Sequence, residues 1–205
     1  MGIFDSFLFV IPETIITVFA FVVLFLGLTK VSREIVGVVA FLGVMIGALF
    51  LPFWWGPSDL SLFYNMLRND GLSVHFREIV LGITGIVILL SMGFKPLEEE
   101  AGEYYFFILI IAVSMMFAVS ANNLIMIYLA VESISLLSYI MTGFLKREGP
   151  SSEAGLKYFL FGALATGIML YGISFLYGIF GTADLASIIM GLEQEPLQPL
   201  ILTVA

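Results

Sequence analysis

The chain has 205 residues, 60% of them hydrophobic and only 12% charged, with a mean hydropathy of +1.10. Soluble domains carry roughly 25% charged residues, so this chain has about half the supply needed to clothe a globular surface and reads as a polytopic membrane protein. The absence of Cys excludes disulfides and thiolate sites, the single His75 argues against haem or zinc, and a net charge of -8 suits neither nucleic acid nor an anionic lipid surface.

Met1 leads into apolar sequence without the basic region or the small-residue cleavage site of a signal peptide. Six runs then approach the roughly 20 residues that a helix needs to cross a bilayer. They cover about Pro12 to Leu28, Glu34 to Leu51, Val74 to Gly93, Tyr104 to Ser120, Leu124 to Leu145 and Glu153 to Phe180. The first opens with Pro12 in its first turn and Glu13 near the positive helix end. A polar linker, Gly181 to Gln198, leads to a new apolar run at Leu200, read as the start of a seventh helix in a longer protein. The fold class expected is all-α, a polytopic transmembrane bundle forming a single membrane domain over 1–205.

Two connections stand out. The stretch from Pro52 to Ser73 holds Trp54, Trp55 and Tyr64, which suit an interfacial aromatic belt, and predicts a short hairpin or turn on the outer face. The stretch KPLEEEAGEYY gathers Glu98, Glu99, Glu100 and Glu103 and reads as a solvated acidic loop. Lys30, Arg33, Lys95, Lys146 and Arg147 fall on one side of the six spans, Arg68 and Arg77 on the other. The positive-inside rule therefore predicts an outside amino terminus and a cytoplasmic loop between the fifth and sixth spans. Arg77, Glu78 and His75 read as interfacial anchors.

The chemistry concentrates in two intramembrane charges. Glu132 sits near the middle of the fifth span, where a charge costs roughly 2.5–3.5 kcal/mol on insertion scales. At helical spacing it shares a face with Tyr128, Ser135 and Tyr139, while Met126, Leu137 and Ile140 occupy aliphatic positions. A carboxylate on a polar stripe faces protein or water, and proton or ion handling explains it more economically than a helix tie, which Gln would provide at lower cost. Desolvation favours the protonated acid and a nearby cation the carboxylate, so an approaching or retreating amine switches such a group. Lys157 lies in the first turns of the sixth span, roughly 13 Å from Glu132 in depth. That is too far for an ion pair; a snorkelling anchor and a station on a proton path both fit its spacing. Small residues such as Ala163 and Gly167 in the sixth span read as helix packing.

Pro12-Glu13, NNLIMIYLAVESISLLSY (Asn122 to Tyr139) and SEAGLKYFLFGALATGIMLYGISFLYGIFGT (Ser152 to Thr182), with a fainter echo at Asp70-Gly71, resemble the N subunit of proton-pumping NADH–quinone oxidoreductase, respiratory complex I. That family includes mitochondrial subunit 2 and the chloroplast B subunit. The resemblance implies an antiporter-like subunit of about fourteen helices in which Glu132 matches the fifth-helix glutamate and Lys157 the sixth-helix lysine. Glu132 would pair with a seventh-helix lysine lying past Ala205. It implies no cofactor on this chain, while the complex uses NADH, FMN, iron–sulfur clusters and quinone. It also implies partnership with the other membrane subunits and the hydrophilic arm, in a bacterial inner membrane. A cation/proton antiporter or membrane-bound hydrogenase subunit of the same ancestral fold is the alternative.

Overall fold

The computed structural model describes residues 3–29, 31–51, 60–93, 100–146 and 148–194. The elements run α1 (Ile3–Leu8), α2 (Ile11–Gly27), α3 (Arg33–Phe50), β1 (Leu60–Leu62), β2 (Leu67–Asn69), α4 (Gly71–Ser91), α5 (Ala101–Ser120), α6 (Leu124–Thr142), α7 (Gly149–Phe180) and α8 (Leu185–Gln194). Helices α3 to α7 are long and apolar enough to cross a membrane. Helix α2, with 17 residues, spans about 25 Å at 1.5 Å per residue.

Several boundaries differ from those the apolar runs suggest, for local reasons. Helix α4 begins at Gly71 because Asp70 caps it: the Ser73 amide donates to Asp70 Oδ1 at 2.7 Å, and the Asp70 amide donates to Ser73 Oγ at 3.0 Å. Helix α7 begins at Gly149, since Pro150 in its first turn has no amide to satisfy. It ends at Gly181, whose φ of 65° is the left-handed cap that glycine adopts without strain. The linker expected to be polar coil contains α8. Trp54, Trp55, Lys95, Glu98, Glu99, Arg147 and the run from Leu200 lie outside the described residues.

Helices α2 to α5 form one bundle, with Ile16, Ala20, Val36, Ala40, Leu81, Ile88, Leu109 and Met116 in its core. Lipid offers no hydrophobic drive for such packing, so close approach has to supply van der Waals contact. Gly27 and Gly102 provide it where α2 crosses α5: a Cβ on either would meet the other's Cα at 2.5 Å. Helix α6 packs on α5 and α7 on α6, as a thinner layer beside the bundle. Among its residues only Ala130 and Tyr139 of α6, and Gly155 and Gly172 of α7, are buried.

The expected hairpin is present. Strands β1 and β2 pair antiparallel, Leu62 opposite Leu67 and Leu60 opposite Asn69. Leu62 and Leu67 pack with Val10 to close one end of the bundle. Phe63, Tyr64 and Asn65 in the connecting turn all have left-handed backbone, with φ of 49°, 54° and 68°. Such conformations cost of order 1–3 kcal/mol each in residues other than glycine and need outside support. Asn122 gives part of it, donating its amide to Met66 O at 2.9 Å. Further support comes from Asp184, which accepts a hydrogen bond from the Asn65 side chain. Asp184 also caps α8, accepting from the Ser187 amide at 2.9 Å and the Ser187 hydroxyl at 2.8 Å. These Ser187 bonds, joined by that from Asn65, hold the Asp184 carboxyl below the ordinary aspartate range.

Candidate functional site

Glu132 is the ninth residue of α6 and lies midway along it. Its side chain is half-buried, and Oε2 is enclosed without a hydrogen-bond partner. The stripe it shares with Tyr128, Ser135 and Tyr139 is turned from open surface: the first three are half-buried and Tyr139 is buried. Tyr139 fixes the direction of its end of the stripe. Its ring meets Tyr158 and Phe159 of α7 edge-on, with centroids 4.7 and 5.9 Å apart, and lies against Gly162, where any side chain would collide with it.

Those contacts also set the register of α6 on α7. Gly143 lies beside Gly155, a Cβ on the latter meeting the former's Cα at 2.8 Å, and Tyr139 lies beside Tyr158 and Phe159. With the helices antiparallel, Lys157 stands level with residue 141, about nine residues from Glu132, a depth difference of roughly 13 Å. The structure therefore does not bring the two charges together. The Lys157 side chain is 66% exposed and its Nζ donates to Glu153 Oε1 at 2.5 Å, one turn nearer the start of α7.

At that same end, Lys146 Nζ stands 3.9 Å from Glu103 Oε2 across the mouth of a cleft of about 470 Å³. Phe107, Ile140, Phe144, Leu156 and Phe159 line its walls, and Tyr139 reaches into it. The polar stripe of α6 thus begins at a cleft that opens at the end of the bundle opposite the hairpin.

The structure corrects the reading of Arg77. It is no interfacial anchor: it is 1% exposed, as is Glu13, and its Nε lies 3.3 Å from Glu13 Oε1. The same Nε donates to Ser120 Oγ at 2.9 Å, Nη2 donates to that oxygen at 2.6 Å, and Nη1 donates to Asn69 Oδ1 at 3.4 Å. Helices α2, α4 and α5 and strand β2 therefore meet at one buried polar cluster. The signal was present in the sequence. Val74, Arg77, Leu81, Thr84 and Ile88 repeat at three- and four-residue steps, and all are buried. His75, in contrast, is exposed on α4, its Nδ1 2.6 Å from Gly71 O. No group of three or more His, Asp or Glu side chains able to hold a metal occurs among the described residues.

Residues 121–204, from the start of α6 through α7 and α8, match the family described as NADH:quinone oxidoreductase/Mrp antiporter, TM. The chain is 32% identical over 203 residues to NADH-quinone oxidoreductase subunit N 2 of Koribacter versatilis, covering 94% of this chain and 41% of that protein. It is 35% identical over 176 residues to the chloroplastic NAD(P)H-quinone oxidoreductase subunit 2 of Chlorokybus atmophyticus, covering 84% and 34%. It thus spans about two fifths or less of these relatives' length. Among solved structures it superposes on a chain of respiratory complex I from Thermus thermophilus with a TM-score of 0.73 at 25% identity, covering 95% of this chain and 41% of that one. A helical bundle of membrane-length helices with a polar stripe on α6, the chain thus has an antiporter-like fold and is similar to subunit N (subunit 2) of NADH–quinone oxidoreductases over the part of those proteins that it spans.

Proposed function

We propose that this chain works as a proton-translocating membrane subunit of an NADH–quinone oxidoreductase, with Glu132 as a proton-relay residue. One observation carries the reading: a carboxylate midway along a membrane-length helix has an enclosed oxygen with no hydrogen-bond partner. A carboxylate at that depth in a membrane-crossing segment is costly and marks a place where protons or ions are handled. The cleft at the opposite end brings open space to Tyr139, leaving about 10 Å along α6 to Glu132. Lys157 is a second relay station nearer that end. Its exposed ammonium, drawn toward Glu153, equally suits an interfacial anchor.

On this reading the chain binds no redox cofactor. NADH, FMN, iron–sulfur clusters and quinone belong to the rest of the complex, and its partners are the other membrane subunits and the hydrophilic arm. The membrane is a bacterial inner membrane, with the hairpin and amino terminus outside. The family description also includes Mrp antiporters, so cation/proton exchange is the competing reading.

The test is Glu132→Gln in the assembled complex. Proton pumping should fall at least several-fold, while assembly and electron transfer from NADH to an artificial acceptor persist. Undiminished pumping would sink the proposal, and sodium-dependent flux without redox partners would transfer the chain to the antiporters.

A further inference from the structure

We infer that Glu13 is a second proton-binding residue, held beside Arg77 beneath the β1–β2 hairpin; this rests on the proton-translocating reading above. Neither oxygen of Glu13 accepts a hydrogen bond, although the residue is 1% exposed. A guanidinium and a carboxylate built to stay paired meet as a fork, through two parallel N–H···O bonds. Here the fork is turned elsewhere: Nε and Nη2 both donate to Ser120 Oγ, and Nη1 donates to Asn69. Arg77 is thus held by neutral oxygens whether or not Glu13 is charged. Both carboxylate oxygens of Glu13 keep their lone pairs unspent, and the cation's Nε, already donating to Ser120, stands 3.3 Å from Oε1.

A buried pair of such geometry regains little of what its desolvation costs. Adding a proton to Glu13 relieves the underbonded carboxylate and leaves the Arg77 contacts standing. The step is a plain transfer: hydronium at the hairpin end gives its proton to a Glu13 oxygen, water is left behind, and the pair passes from net charge zero to +1. Release reverses it. Arg77 is the only charged side chain among the described residues that faces Glu13. On α3, Arg33 and Glu34 sit at the opposite end, as does Glu103 on α5. On the hairpin, Arg68 points away from the buried Asn69 face and stands 3.8 Å from Asp70. Glu78 occupies the next, partly exposed position of α4. Leu62 and Leu67 of the hairpin and Val10 separate this polar cluster from outer water, so exchange needs the hairpin to lift.

The experiment is infrared difference spectroscopy and proton-pumping stoichiometry on the membrane-embedded complex, resting and in turnover. Wild type should show a protonated-carboxyl C=O signal that disappears in Glu13→Gln, together with a several-fold fall in protons moved per electron. Either effect without the other, or neither, overturns the inference. Should Glu13→Gln fail to accumulate, Ser120→Ala decides. Loss of the hydroxyl frees two guanidinium donors to turn toward Glu13, so the signal must shift in frequency and pumping must fall; an unmoved signal or unchanged pumping overturns it. Glu132→Gln is run in parallel. If that variant still pumps, the function reading itself fails; if it stops pumping while Glu13→Gln does not, only the present inference fails.

Discussion

Arg77 brings all three guanidinium nitrogens into the protein interior, and that fixes what its removal does. In Arg77→Met, Glu13, Ser120 and Asn69 lose their shared partner at once. Breaking a buried pair from one side costs about 3–5 kcal/mol, so the purified protein should unfold at clearly lower denaturant. Glu13→Gln/Arg77→Met should recover part of the loss, because no lone charge remains. A single variant as stable as wild type would show that the cluster contributes little. Sequence reasoning singled out Glu132 because it is the lone carboxylate inside a long apolar run. Arg77 escaped because α4 appeared to start at Val74, which put the arginine at the lip. The capping pair Asp70 and Ser73 moves the start to Gly71 and carries Arg77 three residues deeper.

At the scale of elements, the crossing of α2 and α5 is the tightest backbone approach described. Gly102→Leu places a Cβ 2.5 Å from the Gly27 Cα, where only backbone movement makes room. Overpacking of this kind costs about 1–3 kcal/mol, read as a lower unfolding midpoint in detergent; an unchanged midpoint would mean that the two helices separate freely. The six long helices were legible from apolar run length alone, since a membrane-crossing segment must be apolar throughout. The short elements were not. Helix α8 follows from a cap at Asp184 within otherwise linker-like sequence, and no glycine announces the left-handed turn at Phe63 to Asn65. That turn is stable because Asp184 and Asn122, remote in sequence, hold it, and remote partners leave no local pattern.

For the whole molecule, the hairpin and the α6–α7 connection lie at opposite ends of the bundle. None of the 205 residues is cysteine, so single substitutions among them report sidedness without background from this stretch. Tyr64, at the exposed tip of the hairpin, and Ser152, exposed at the start of α7, are suitable positions. A membrane-impermeant maleimide should label Tyr64→Cys from outside intact cells and Ser152→Cys only after lysis. Labelling of both from one side would refute the topology, and labelling in the reverse pattern would invert the orientation. The bond between Asn65 and Asp184 also sets a timetable. Its partners are 119 residues apart, and at about 5–20 residues per second of synthesis roughly 6–24 s pass before the second exists. Until then the turn lacks its Asp184 latch and has only the Asn122 bonds, while α2, α4 and α5 become available to gather around Glu13 and Arg77. The most polar spot in the bundle is therefore assembled with its cover only partly latched, and a segment that emerges later completes the latch.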